Sequence, residues 1–230
     1  MDTLSWAFWI LCGLLALSVV MELTGARIRI PAGTKLPDQL KPTLAAELAR
    51  SREDIDRIVG SSESPEGRAN RSVLRLQQYL DLPFIVGYVL LFFALGSFES
   101  TLAFAGASVL GLASRGSAVV AAVADLLEDR AILQAVSGRE GSVRRFGLPK
   151  WLFIFLALIG QSVLFFFFPA PNPFQQGLAI LIGIVFLIGG LGGVVSILLR
   201  RDAWIMQATK VFGLGLLLLL VLLFLHQLRA

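Results

Sequence analysis

Residues 177–202 read GLAILIGIVFLIGGLGGVVSILLRRD, and the reading of that stretch decides the fold. No charge interrupts Gly177 to Leu199, a run slightly longer than the roughly 20 apolar residues that carry a helix across a bilayer core. Arg200-Arg201-Asp202 then ends it, and a second apolar run, 211–228, follows. Joining the two runs into one span would leave three ionised side chains in hydrocarbon, at roughly 3 kcal/mol each on insertion scales. They read instead as two spans meeting at a charged turn.

Outward from this pair, four more apolar segments stand at 4–21, 80–98, 101–124 and 151–168. The whole chain matches that density: 56% of its 230 residues are hydrophobic, 16% are charged, and its mean hydropathy is +0.78. Soluble domains hold nearer ~45–50% apolar and ~25% charged residues. The segment 101–124 is the weakest of the six, because Arg115 interrupts it and acids close it. The first segment resembles a cleaved leader only in the small residues of Thr24-Gly25-Ala26. Asp2 precedes it and Arg27, Arg29 and Lys35 follow, the reverse of a signal peptide's positive start. A retained anchor is expected, and with it an all-α, polytopic transmembrane bundle of six spans forming a single membrane domain over 1–230.

Lysine and arginine test that threading. Ten fall within 24–78, four within 137–150, and Arg200, Arg201 and Lys210 lie between the last two spans. The turns 97–100 and 169–176 hold none. Seventeen of the twenty basic residues therefore sit in alternate loops, as the positive-inside rule requires of six spans with both termini outside. This places the protein in a plasma membrane with 24–78 as its one sizeable cytoplasmic loop. The net charge of +4 and pI of 9.7 are explained by those loops, and no nucleic-acid partner is expected. One cysteine, Cys12, and one histidine, His226, exclude an internal disulfide and any cysteine or histidine metal cluster.

Within 24–78, Pro31, Gly33, Pro37 and Pro42 keep the first half extended, and Leu44, Leu48, Ile55, Ile58 and Val59 recur at helical spacing. Ser51 with Asp54 reads as a capping box and Gly60 as a helix end. Ser64-Pro65 opens another helix, serine as N-cap and proline in the first turn. On it Arg68, Arg71 and Arg75 share one face and Val73, Leu76 and Leu80 the opposite one. Such a stripe immediately before a span fits an amphipathic helix in the inner headgroup layer, its arginines contacting anionic lipid. Small residues every four positions, Ala103, Ala107 and Gly111, then Gly189 and Gly193, permit close helix approach within the chain or between copies. Trp6, Trp9, Trp151 and Trp204 lie near span ends, where indole favours the interface.

The acids at the inner span ends are the candidate chemistry. Glu22 closes the first span, Asp81 opens the second, and Asp125, Glu128 and Asp129 leave the third. The last three project from one side of a helix. Tyr88 shares a face with Asp81, about 10 Å along. Were these faces to meet, the carboxylates would suit a hard cation through oxygen ligands or a proton relay, with Tyr88 in the cavity wall. The bland alternatives are that Asp81-Leu82-Pro83 is only an N-cap with first-turn proline, and that the other acids are a solvated helix end. Pairing of Glu128 or Asp129 with Arg71, Arg75 or Arg130 is a further structural alternative. No Walker loop, GxGxxG after a strand, HExxH or nucleophile elbow is present.

Leu80-Asp81-x-Pro83-Phe84-Ile85-x-x-Tyr88, followed by Asp125-x-x-Glu128-Asp129-x-Ala131-x-Leu133, resembles a loose group of bacterial multi-pass membrane proteins without an assigned activity. There a span opening Leu-Asp-x-x-Phe-(Ile/Leu)-x-x-Tyr precedes one bearing Asp-x-x-Glu-Asn. The likeness covers roughly residues 45 to 136 and departs at Asp129, where the group has asparagine. It implies a paired role for the second and third spans and assigns no cofactor. The favoured expectation is a non-enzymatic scaffold, assembly factor or accessory subunit, packed against membrane partners or its own copies. The alternative is a small transporter or lipid-phase enzyme working through Asp81, Asp125 and Glu128.

Overall fold

A computed structural model describes every residue except 1, 32, 35, 37–39, 140–141 and 229–230; the expectations that involve Lys35 and Pro37 lie outside the described residues. Eight helices follow one another: α1 (Thr3–Gly25), α2 (Pro42–Glu47), α3 (Arg52–Val59), α4 (Pro65–Glu99), α5 (Ala107–Val136), α6 (Arg144–Phe166), α7 (Pro173–Leu198) and α8 (Asp202–Gln227). No strand occurs among the described residues. Helices α1 and α4 to α8 are long and apolar enough to cross a bilayer. Large apolar side chains on them stay uncovered, such as Val109 at 70% and Leu198 at 73% exposure. A water-soluble monomer rarely tolerates apolar patches beyond a few hundred Å², so these faces are met by lipid. The protein is a multi-pass membrane protein.

Two departures from the sequence expectation concern α4 and α5. The arginine-bearing helix and the second span are one element of 35 residues, about 52 Å long at 1.5 Å per residue. Asp81 therefore lies inside a helix and caps nothing. Pro83 is carried within it, removing the bond to the Tyr79 carbonyl, a loss membrane helices tolerate where neighbours or local adjustment compensate. Helix α5 starts at Ala107, so Ala103 falls in the preceding turn and outside any helical stripe.

The chain divides into two compact units, the first comprising 1–14, 87–121 and 151–230, the second 15–86 and 122–150. In the first, small residues close helix against helix: a side chain at Gly193 would overlap the Phe155 ring, and one at Gly111 would overlap the Gly96 carbonyl. These glycines thus serve packing within the chain. Gln161 donates to Ser114 Oγ at 2.5 Å, joining α6 to α5. Asp2 and His226 meet at 2.9 Å, which brings the beginning of α1 to the end of α8, as an even number of spans demands.

In the second unit the capping expectations hold. Ser51 Oγ accepts from the Asp54 amide at 3.4 Å, while Asp54 reaches back to the Arg50 amide at 3.0 Å, one residue before the capping-box position. Gly60 ends α3 at φ 87°, a left-handed conformation that favours glycine. Ser64 Oγ accepts from the Gly67 amide at 3.0 Å and caps α4. Asn70 ties the extended segment down, donating to the Arg29 and Val59 carbonyls at 2.7 and 3.0 Å and accepting from the Arg29 amide at 2.9 Å. The two basic loops are joined directly. Arg52 Nη1 donates to the Gly138 carbonyl at 2.8 Å, and the Arg144 amide donates to the Ala49 carbonyl at 2.8 Å.

Candidate functional site

Four elements of the second unit converge on a buried ionic cluster. Helix α5 contributes Asp125, Glu128 and Asp129 from adjacent turns of one face, α4 contributes Asp81, α2 ends in Glu47, and Lys150 projects from the second turn of α6. Lys150 Nζ lies 2.9 Å from Asp125 Oδ1, 2.8 Å from Glu128 Oε2 and 3.1 Å from Glu47 Oε2. Glu128 is fully buried, and Asp125, Asp129 and Lys150 are nearly so. The acids of α5 are therefore no solvated helix end. Gly147, one turn before Lys150, lets α6 reach its partners: a Cβ there would stand 2.5 Å from the Glu47 carbonyl oxygen and 3.4 Å from Glu128 Oε1.

One carboxylate oxygen each from Asp81, Asp125 and Asp129 lies within 4.8 Å of the others. Ligands on opposite sides of one ion at about 2.4 Å are about 4.8 Å apart, so three oxygens at this spacing can share a hard cation without rearrangement. Asp129 is buried beside Asp81 and Asp125. Five carboxylates face one ammonium here, and uncompensated buried charge costs several kcal/mol per ion. A cation or protons must complete the balance.

A cleft of about 320 Å³ runs beside the cluster, lined by Ser18, Glu22, Lys41, Thr43, Glu47 and Gln77 among others. Glu47 belongs to both the cleft and the cluster. Lys41 and Glu22 pair at 2.5 Å on its wall, both well exposed.

No protein-family model, curated protein or solved structure matches the chain.

Of the acids proposed from the sequence, Asp81, Asp125, Glu128 and Asp129 all enter the cluster. Tyr88 is buried but belongs to the first unit. The cationic partner differs from the expected arginines: Lys150 holds Asp125 and Glu128, whereas Arg71 pairs with Asp56 at 2.5 Å and Arg130 is exposed. Sequence reasoning missed Lys150 and Glu47. Lys150 carried a signal, standing between Pro149 and Trp151 at the threshold of an apolar run, where an unpaired ammonium is costly. Glu47, at the end of a six-residue helix, carried none. The arginine stripe also divides, since Arg68 and Arg75 are exposed and Arg71 is buried.

Proposed function

We propose that this multi-pass protein resides in a bacterial plasma membrane with both termini outside, and that its working centre binds a small hard cation at the inner side. One observation carries the reading: Asp81, Asp125 and Asp129, from two helices, present carboxylate oxygens within 4.8 Å of one another. The ligand set is all oxygen, which suits magnesium, calcium or manganese over softer ions. Lys150 supports it by pairing with Asp125, Glu128 and Glu47, one positive charge among five carboxylates, which leaves negative charge for a cation to balance. The segregation of basic residues supports the orientation, and the likeness over residues 45–136 supports a shared role for α4 and α5.

The second reading is a scaffold in which Lys150 and its three carboxylates only fasten α2, α5 and α6 together, favoured by the three contacts of 2.8 to 3.1 Å. Thermal unfolding of the detergent-purified chain separates the two. Saturating magnesium, calcium or manganese at about 100-fold over Kd adds about 2.7 kcal/mol, a rise of at least about 5 °C for a chain of this length. Asp129→Asn removes that rise on the cation reading. An unfolding temperature indifferent to all three ions, with Asp129→Asn raising it equally in their presence and absence, leaves the fastening role alone.

A further inference from the structure

A second polar cavity, of about 410 Å³, lies in the same unit and is lined by arginine: Arg52 from α3 and Arg68, Arg71 and Arg75 from α4, with Ser72 and Ser137 beside them. That size falls within the roughly 300–1,000 Å³ of small-molecule sites. Arg68, Arg71 and Arg75 recur at i, i+3 and i+7, one face of a helix, and α3 with the end of α5 closes the other sides.

The protein uses only part of this charge. Arg71 is 5% exposed; it donates to the Val136 and Gly60 carbonyls at 3.0 Å each and to Asp56 Oδ1 at 2.5 Å, while its Nε, also buried, has no partner. Arg52 donates to the Gly138 carbonyl at 2.8 Å and lies 3.5 Å from Asp56 Oδ2. Arg68 donates to the Glu63 carbonyl at 2.8 Å, which leaves its charge uncancelled. Arg75 is exposed and has no hydrogen bond or ion pair among the described residues. Among the described residues, these four guanidinium groups are thus paired with one carboxylate, Asp56, which Arg52 and Arg71 hold. Arg52 and Arg71 are immobilised by backbone carbonyls and Asp56, Arg68 is held by a carbonyl alone, and Arg75 stands exposed.

We propose that this cavity binds a phosphoryl group carrying more than one negative charge. Planar guanidinium forks match phosphate oxygens in pairs, serine hydroxyls supply further donors, and the immobilised Arg52 and Arg71 limit the ordering cost of binding. Carboxylate ligands suit the site less, since one negative charge leaves most of the excess uncancelled. The phosphoryl group can belong to a phosphomonoester lipid or to a soluble phosphate compound, and both share this chemistry.

The test uses the full chain in two settings. Inorganic pyrophosphate is titrated calorimetrically into protein in neutral detergent, and thermal unfolding is compared in phosphatidylcholine nanodiscs with and without phosphatidic acid. Arg68→Gln with Arg75→Gln removes the rim charges, and Arg57→Gln with Arg145→Gln removes the same charge from exposed positions that do not line the cavity. Arg75→Gln alone, at a side chain that holds nothing in the protein, guards against loss of folding in the double variant. We expect binding to weaken at least tenfold in the rim variants and to stay within twofold in the control pair. Pyrophosphate binding identifies a soluble ligand; stabilisation confined to phosphatidic acid nanodiscs identifies the lipid. Absence of both responses, or equal losses in the rim and control pairs, overturns the proposal.

Discussion

Lys150 contributes one ammonium to three carboxylates, so its removal is not the loss of one contact. It strands buried Asp125 and Glu128 without compensation, and breaking such a network from one side costs about 3–5 kcal/mol. We expect Lys150→Ala to lose most of the folded protein, measured as the monodisperse fraction in detergent. Adding Asp125→Asn and Glu128→Gln should recover much of it, because the stranded charges disappear with their partner; a triple variant no better folded than the single one contradicts this account. In the first unit, Asp2 illustrates a weaker electrostatic effect. Its carboxyl is drawn from 3.8 to about 2, chiefly by the hydrogen bond with His226 and then by the Ser5 amide. A depressed acid stabilises the fold above its unfolded value and loses that contribution as pH falls through the folded one. The Asp2 share is therefore lost from about pH 4 down to about pH 2, and Asp2→Asn should flatten the unfolding temperature across that window. The pair is half exposed, so the change is small.

At the scale of elements, Gly147 and α4 show what the sequence revealed and what it withheld. A Cβ on Gly147 meets a backbone carbonyl at 2.5 Å, which cannot swing aside as a flexible side chain does. Gly147→Ala must push α6 away from α2, with an overpacking cost of about 1–3 kcal/mol and displacement of Lys150 one turn on. Gly13→Ala and Gly192→Ala, where a methyl meets nothing within 4 Å, should be neutral or slightly stabilising by replacing glycine within a helix. Urea or thermal denaturation of the three variants checks the ranking. Nothing about Gly147 distinguishes it in the sequence from the many other glycines, since its role arises from a neighbour a hundred residues earlier. The caps Ser51, Ser64 and Gly60 were legible because capping is local. The continuity of α4 was not. Asp81-Leu82-Pro83 carries every local mark of a helix start, yet buried positions recur at helical spacing on both sides of it, Arg71, Leu74 and Gln78 before and Ile85, Tyr88 and Phe92 after, and tertiary packing overrode the local signal. The same holds for the acids. Their spacing on α5 was readable, but the identity of their cation depended on which helix came alongside.

For the whole molecule, threading was legible because hydropathy and charge report on the solvent rather than on any particular neighbour. The contacts within each unit agree with it. Arg52 with Gly138 and Arg144 with Ala49 bind the two large basic loops together, and Asp2 with His226 joins the termini. Ala49, Arg52, Gly138 and Arg144 thus lie together, and we expect them to share one compartment. In a Cys12→Ala background, single cysteines at exposed Ser61, Arg145 and Thr101 test the arrangement with a membrane-impermeant maleimide applied to spheroplasts and then to lysed cells. We expect Ser61→Cys and Arg145→Cys to react only after lysis and Thr101→Cys to react beforehand. Complete reversal of the three would invert the protein while keeping its fold. A split between positions 61 and 145 would be a deeper failure, because the carbonyl of Gly138 cannot accept a hydrogen bond from Arg52 across about 30 Å of hydrocarbon, and with that bond would go the surface on which both the acidic cluster and the arginine cavity are built.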